Sequence, residues 1–212
     1  MVPPVTGFLM GLAAAIFICH SASSQSLSDP CGGSNPVQGS SKGLSVTGNL
    51  PAAMRDIVTS AIEAKTLAGL LKDKYTKTSP PRISPFFAIY LKGIHEKNFP
   101  VSRSLFNQSA ITAALQSDYD DVSTIITFMK YIYKYETEYT VDMEAFQHKL
   151  YSPLCKIKIA ADANGQSLTY TITDDVVTRK VIISDAFRYA RDYTVFRDAE
   201  VFLASVTTPY VN

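Results

Sequence analysis

The 212-residue sequence predicts an all-α fold, a long-chain four-helix bundle of the up-up-down-down type. Three observations indicate it. Four long segments carry apolar residues at spacings of three and four, the period of an amphipathic helix. The connections between these segments are long, short and long in turn. About 188 residues remain after a predicted leader, which is enough for one domain with a sizeable core.

Residues 1–24 predict a secretory signal peptide. They contain no acidic or basic side chain, an apolar run extends from Phe8 to Cys19, and Ala22 and Ser24 suit a cleavage site. The run is too short to span a bilayer comfortably, and no later stretch approaches the ~20 apolar residues of a spanning helix. We therefore expect a secreted, extracellular protein with no membrane insertion after cleavage. A retained anchor is the alternative, because no lysine or arginine precedes the apolar run.

Two cysteines and one glycosylation triplet bear on the secretory route. Cleavage removes Cys19 and leaves Cys31 and Cys155, an even number in an oxidising compartment. We expect one disulfide between them, which in the chain-entropy model stabilises the fold by roughly 3–5 kcal/mol. Two free or intermolecular thiols are the alternative. Asn107 begins an Asn-Gln-Ser triplet, an acceptor for N-glycosylation.

The helical domain is predicted at residues 49–208, after a flexible arm. The arm, residues 25–48, is rich in serine and glycine. The first helix is expected to begin near Pro51, since proline is tolerated in a first turn, and to end near Tyr75. Its apolar stripe consists of Met54, Ile57, Val58, Ala61, Ala64, Leu67, Leu70 and Leu71.

Residues 76–103 form the first connection. Pro80, Pro81, Pro85 and Pro100 exclude a continuous helix. This connection also contains the apolar residues Phe86, Phe87, Ile89, Tyr90 and Leu91. Such a composition suits a solvated linker poorly, so we expect the connection to pack against the bundle.

The second and third helices are joined by the short polar segment ETEYTVD. The second is expected from about Ile111 to Tyr133, with its apolar residues in one wide stripe. The third is expected from Met143 to Leu154, where Pro153 should kink or stop it.

Residues 156–173 carry a local signal for extended structure. Ile157 and Ile159 alternate with lysines, and Asn164-Gly165 is a common hairpin turn. The two alternatives are a short β-hairpin in this third connection and an extended, partly packed segment.

The last helix is expected to begin after Asp174, a good N-cap, and to carry apolar residues as far as Val206. The connections then constrain the topology. A short join makes its flanking helices antiparallel, whereas two long connections allow parallel crossovers at both ends. This combination predicts the up-up-down-down order.

The sequence carries no evident motif for catalysis, cofactors or metals. There is no basic stripe of the kind that binds nucleic acid. His95 and His148 lie far apart, and neither a glycine-rich phosphate loop nor a nucleophile elbow occurs. The side chains of Asp120 and Asp121 do not face each other on a helix, so we interpret them as solvated or capping groups. We predict no enzyme activity, no catalytic residue, no cofactor, no metal and no nucleic-acid partner.

Three stretches of the chain resemble one family of secreted proteins. Residues 60–75, SAIEAKTLAGLLKDKY, resemble its first helix, and residues 114–161 are similar to its second and third helices with their short join. Residues 179–206 are similar to its fourth helix, and Arg191 and Asp192 fall where it places a charged pair. The family is the interleukin-6 group of long-chain cytokines, in the branch of ciliary neurotrophic factor, cardiotrophin and cardiotrophin-like cytokine.

The resemblance implies a monomer that assembles cytokine receptor ectodomains, a specificity chain plus a shared signalling chain, and so triggers intracellular Janus-kinase signalling. One surface would include the first crossover, and another would lie on the first and third helices. Val177 and Lys180 match a receptor-binding Phe-x-x-Lys motif, with valine in place of phenylalanine. Arg191, Asp192 and Arg197 are further receptor contacts that the resemblance implies. An arm-to-third-helix disulfide is similar to one in leukaemia inhibitory factor and oncostatin.

Two other functions stay open at this point. A secreted carrier of a small apolar ligand requires an internal cavity of ~300–1,000 Å³. An extracellular enzyme or inhibitor on a helix-plus-hairpin fold requires polar groups that converge in one cleft.

Overall fold

The computed structural model describes Cys31 and residues 50–103, 110–168 and 185–207. This part of the chain contains five α-helices and no β-strand, which confirms the all-helical class. The helices are α1 (Leu50–Lys77), α2 (Pro85–Tyr90), α3 (Ile111–Tyr135), α4 (Thr140–Ala163) and α5 (Asp185–Thr207). The predicted signal peptide, the rest of the predicted arm, Asn107, Val177 and Lys180 lie outside the described residues.

The bounds of α1 agree with its apolar period. Its buried apolar side chains are Met54, Ile57, Ala61, Ala64, Ala68, Leu71 and Tyr75. Leu70 was predicted in the same stripe but is 54% exposed. It lies one residue before Leu71, about 100° away around the helix, and so falls outside the buried face.

The four long helices share one core. α1 packs along α4 and α5, and α3 packs mainly on α4. Large aromatic rings link these helices: Phe196 of α5 lies 5.4 Å from the ring centroid of Tyr75 on α1 and 6.5 Å from that of Phe146 on α4. All three side chains are fully buried, so they fix α1, α4 and α5 against one another.

α4 differs from the prediction in its length. Pro153 does not stop the helix, because α4 continues through it to Ala163, into the segment interpreted as extended. Beyond the proline, Ile157 and Ala160 are fully buried. This burial at helical spacing outweighs the roughly 3 kcal/mol that a proline costs inside a helix. Up to the end of α4, these residues therefore form neither the hairpin nor the extended segment that were the two alternatives for residues 156–173. Residues 169–173 lie outside the described part of the chain.

Asn164 and Gly165 end α4 instead of forming a hairpin turn. The N–H of Gly165 donates to the carbonyl of Asp162 at 3.0 Å, and that of Gln166 donates to the carbonyl of Ala161 at 2.9 Å. This pair of bonds is the Schellman helix end, whose left-handed position suits glycine, and Gly165 has φ +69°. The same dipeptide thus ends a helix where a hairpin was one of the two alternatives.

The first connection packs against the bundle through only part of its length. Ile83, Leu91 and Phe99 are buried, and the ring of Phe99 meets that of Phe128 on α3 at 5.0 Å. The prediction of a packed connection is confirmed at these positions. It is wrong for most of α2, which contains no buried residue.

Cys31 and Cys155 are joined by a disulfide, with their Cα atoms 5.3 Å apart, inside the usual range for such bonds. The bond attaches the region before α1 to α4. In the described part of the chain, no helix combines the length and the apolar character needed to cross a membrane.

Candidate contact surface

α2 and the turn after it expose a cluster of large apolar side chains, which we call the α2 patch: Phe86, Phe87, Ile89, Tyr90 and Ile94. Their exposed fractions are 68, 45, 59, 62 and 53%. The rings of Phe86 and Tyr90, one turn apart, pack edge to face with centroids 5.2 Å apart. Scattered single apolar side chains are normal on a surface, but a cluster of this kind is typical of a contact site.

α2 is too short to be stable by itself, so its conformation depends on its ends. Ser84 is the N-cap, and its Oγ accepts a hydrogen bond from the N–H of Phe87 at 3.0 Å. Pro85 follows in the first turn, where its missing N–H costs nothing. Leu91 is the C-cap, and the chain turns at Gly93, which has φ +80°. The local sequence therefore defines both ends of α2.

Arg82 anchors the chain upstream of α2. Its guanidinium makes two hydrogen bonds to the carboxylate of Glu136, one from Nη2 to Oε1 at 2.9 Å. It also lies over the rings of Tyr139 and Tyr189, 4.4 and 4.6 Å from their centroids. Burial alone would raise the pKa of Glu136, but the hydrogen bonds and charge of Arg82 lower it to about 2. The pair therefore stays ionised at any physiological pH.

Tyr75 extends this polar cluster into the core. Its hydroxyl donates to Oε2 of Glu136 at 3.0 Å and lies 3.4 Å from Oδ2 of Asp192. Burial and the two nearby carboxylates raise the pKa of Tyr75 well above its usual value. Burial also raises the pKa of Asp192 to about 6, although its partner Arg191 acts to lower it. The cluster joins the ends of α1 and α3 to the first turns of α5.

Arg197 of α5 anchors the chain downstream of α2. Its Nη1 donates to the carbonyl of Leu91 at 2.5 Å, and its Nη2 donates to the carbonyl of Ile94 at 2.6 Å. Its Nε donates to Oδ1 of Asp198 at 2.8 Å. The other oxygen of Asp198, a buried carboxylate, lies 2.9 Å from Nδ1 of His95. An arginine ion pair therefore holds the α2 patch on each side.

The predicted receptor-contact residues of the last helix have partners inside the protein. The side chains of Arg191 and Asp192 are only 9 and 1% exposed and bind each other at 2.5 Å. Arg197 is 15% exposed and is occupied by the bonds described above. α5 turns these three side chains inward, which leaves little of their surface for another molecule.

The α2 patch was not among the predicted site residues. The sequence signal was present, because four large apolar side chains occur within six residues after Ser84. Apolar composition alone, however, does not distinguish a buried segment from an exposed one. Ile83, Leu91 and Phe99 occupy the buried positions of this connection, and α2 projects outward between them.

A polar depression of about 150 Å³ lies between α1 and α4. Its lining residues are Asp56, Thr59, Ser60, Glu63, Ser152 and Lys156. Ion pairs cross the same surface, Lys149 with Glu63 at 2.8 Å and Lys156 with Asp56 at 3.8 Å. These side chains are about half exposed, and ion pairs of that kind contribute little to stability. They can therefore exchange partners when another molecule binds.

Each of the two histidines in the described part of the chain lies beside a carboxylate and not beside the other histidine. His95 faces Asp198, and His148 lies 3.9 Å from Glu144. Within the described ranges, no group of three His, Cys, Asp or Glu side chains is placed to hold a metal ion. Comparison of the chain with protein-family models, with curated proteins and with solved structures found no match.

Proposed function

We propose that this protein is a secreted helical cytokine. It acts as a monomer and assembles cell-surface receptor ectodomains, a specificity chain plus a shared signalling chain, to trigger Janus-kinase signalling in the target cell. The observation that carries the proposal is the α2 patch, an exposed apolar cluster on the connection between α1 and α3 of a helical protein. Aromatic and apolar side chains of this kind are the usual energetic centre of a protein interface.

The up-up-down-down order is part of the proposal, and contacts at both ends of the bundle support it. Tyr75, near the end of α1, meets Glu136 just after α3 and Asp192 in the first turns of α5. Asp56, near the start of α1, pairs with Lys156 in the second half of α4. With these neighbours, α1 and α3 would run in one direction and α4 and α5 in the other.

The α2 patch would bind the specificity chain. The resemblance to the interleukin-6 group places such a contact on the first crossover, which is the segment that contains α2. The exposed Lys92 and Lys97 flank the patch and would form a polar rim around its apolar centre. A complete interface of ordinary size needs about 800 Å² from each partner, so the patch would be its centre and not its whole extent.

The surface between α1 and α4 would bind the shared signalling chain. The resemblance places that contact on the first and third long helices, which are α1 and α4 here. The half-exposed ion pairs of Glu63 with Lys149 and of Asp56 with Lys156 supply charges of both signs. Charges of both signs would steer a receptor surface of complementary charge onto α1 and α4.

Two observations weigh against the other functions. The depression between α1 and α4 is polar and smaller than the ~300–1,000 Å³ of a small-molecule pocket, so it suits an apolar ligand poorly. Tyr75, Glu136 and Asp192, whose pKa values are shifted, bind each other or arginines inside the bundle. Their arrangement explains the stability of one end of the bundle better than it explains catalysis.

The direct experiment measures binding to immobilised cytokine-receptor ectodomains from the species that makes the protein. Ile89→Ser removes an apolar side chain that is 59% exposed at the α2 patch. We expect it to weaken binding about tenfold or more, the effect of losing an interface anchor. Tyr133→Ser is the matched control, because Tyr133 is 40% exposed on α3, outside both proposed contact surfaces.

The outcomes separate the parts of the proposal. Loss of binding with Ile89→Ser alone supports the patch as the contact site. Equal losses of binding with both variants contradict that assignment, and so does unchanged binding of both variants. Failure of the wild-type protein to bind any ectodomain contradicts the cytokine function itself.

A further inference from the structure

Arg197 connects the buried middle of α5 to the segment that carries the α2 patch. Its guanidinium bonds to the carbonyls of Leu91 and Ile94, which lie on either side of the turn that ends α2. We infer that Arg197 is a positioning residue, which orders the α2 patch for its partner without touching that partner. The inference rests on the proposed function of the patch and assigns the control of its order to a residue outside it.

α2 needs such a support because of its length. A helix of six residues has too few internal hydrogen bonds to offset the entropy of ordering its backbone. Its side chains do not compensate, since none of them is buried. The bonds at its two ends therefore determine how often α2 is formed.

The geometry around Arg197 requires an arginine. One carboxylate oxygen of the buried Asp198 accepts from Nε, which directs the two terminal nitrogens toward the carbonyls. Nδ1 of His95 holds the other oxygen of Asp198. A lysine carries the same charge but has one nitrogen, so it cannot reach Asp198 and both carbonyls together.

Loss of this support has a quantitative consequence. A partner that binds only the ordered patch has an apparent Kd equal to its intrinsic Kd divided by the ordered fraction. A tenfold weaker apparent affinity therefore requires α2 to be formed in only about one molecule in ten. Amide exchange of α2 measures the same equilibrium independently of any partner.

The test compares Arg197→Lys with the matched variant Arg188→Lys. Arg188 also lies on α5 and also donates to a carbonyl near a helix end, but that carbonyl belongs to Tyr135 of α3. Hydrogen exchange of the full-length protein is followed at residues 87–94 and at residues 57–71 of α1. We expect Arg197→Lys to accelerate exchange at 87–94 by about tenfold or more, with α1 unchanged. Arg188→Lys should leave both segments as they are in the wild type.

Binding to the ectodomain that captures the wild-type protein is the second measurement. Arg197→Lys should weaken this binding by the same factor by which hydrogen exchange shows the ordered fraction of α2 to fall. Ile89→Ser should weaken the binding without accelerating exchange at residues 87–94. Arg197→Gln serves as a second variant if the lysine variant does not fold, and the same relation is expected of it.

Several results would overturn the inference. One is unchanged exchange at residues 87–94 in both Arg197 variants. Another is unchanged affinity in a variant whose exchange shows α2 formed in only about one molecule in ten, because the patch would then need no preordering. If the wild-type protein binds no ectodomain, the proposed function fails, and the exchange data still decide whether Arg197 orders α2.

Discussion

Arg82 and Glu136 form a two-bond ion pair that joins the connection between α1 and α3 to the end of α3. The two side chains are 9 and 0% exposed, and the guanidinium is further enclosed by tyrosine rings. Breaking such a pair leaves one buried charge without its partner, which is more costly than replacing both side chains. The pair therefore fixes the end of the bundle from which α2 projects.

We expect Glu136→Gln to destabilise the protein by about 3 kcal/mol, the low end for a broken buried ion pair, because Arg82 loses its buried counterion and keeps only its ion pair with the exposed Glu138. Urea unfolding monitored by circular dichroism measures the change. The double variant Arg82→Met/Glu136→Leu should cost clearly less than the sum of its single changes, since no buried charge remains. Additive losses would show that the two residues do not interact in solution.

Removal of the Asp121 charge should stabilise the protein at neutral pH. Burial, and next the neighbouring charge of Asp118, raise the pKa of Asp121 to about 6. The folded state then binds more protons than the unfolded state between about pH 4 and 6, so stability falls as the pH rises through that window. Asp121→Asn should raise the free energy of unfolding by on the order of 1 kcal/mol at pH 7, a figure discounted for the partial exposure of the side chain. It should leave that free energy unchanged near pH 4.

Unfolding measured at several pH values tests this prediction. Asp162→Asn removes a charge from an exposed position on α4 and serves as the control. A variant of Asp121 that is less stable than the wild type at pH 7 would mean that the carboxylate makes a favourable contact there.

Gly165 should tolerate a side chain poorly because it occupies the left-handed position that ends α4. Gly165→Ala is expected to cost about 1 kcal/mol, and Gly165→Asn less, since asparagine adopts this conformation more readily. Nothing lies within 4 Å of an added Cβ, so the backbone conformation is the source of the loss. Thermal unfolding of the two variants tests this prediction. An alanine variant as stable as the wild type would contradict the left-handed conformation of Gly165 at the end of α4.

The Cys31–Cys155 bond should be detectable in the purified protein. Intact mass is expected to rise by two hydrogens on reduction, and a proteolytic map of the unreduced protein should contain the two peptides linked. Cys155→Ala should destabilise the fold by roughly 3–5 kcal/mol in the chain-entropy model, because the bond closes a long loop. Two separately alkylated cysteines in the unreduced protein would refute the pairing.

The sequence predicted the helices where one apolar period was unambiguous. The stripe of α1 and the stripe of α3 gave bounds that agree with the structure to within a few residues. The last helix was predicted from Asp174, and the structure describes it from Asp185 onward. Periodicity succeeds in α1 and α3 because one face of each helix is buried along most of its length.

Local signals misled the prediction where tertiary packing outweighed them. Pro153 and the alternation of Ile157 and Ile159 both argued against a helix, yet the burial of Ile157 keeps the segment helical. The α2 patch shows the converse problem. Phe86 and Ile89 resemble core residues in sequence, and only the structure shows that they face solvent.

The signalling response of receptor-bearing cells tests the central claim most directly. Purified protein is added to cells that express full-length versions of the receptor chains it captures, and Janus-kinase phosphorylation is measured. We predict a dose-dependent response to the wild-type protein and to Tyr133→Ser, and a response to Ile89→Ser that requires about tenfold more protein or is lost. No phosphorylation at saturating wild-type protein would contradict the claim that this helical bundle is a cytokine.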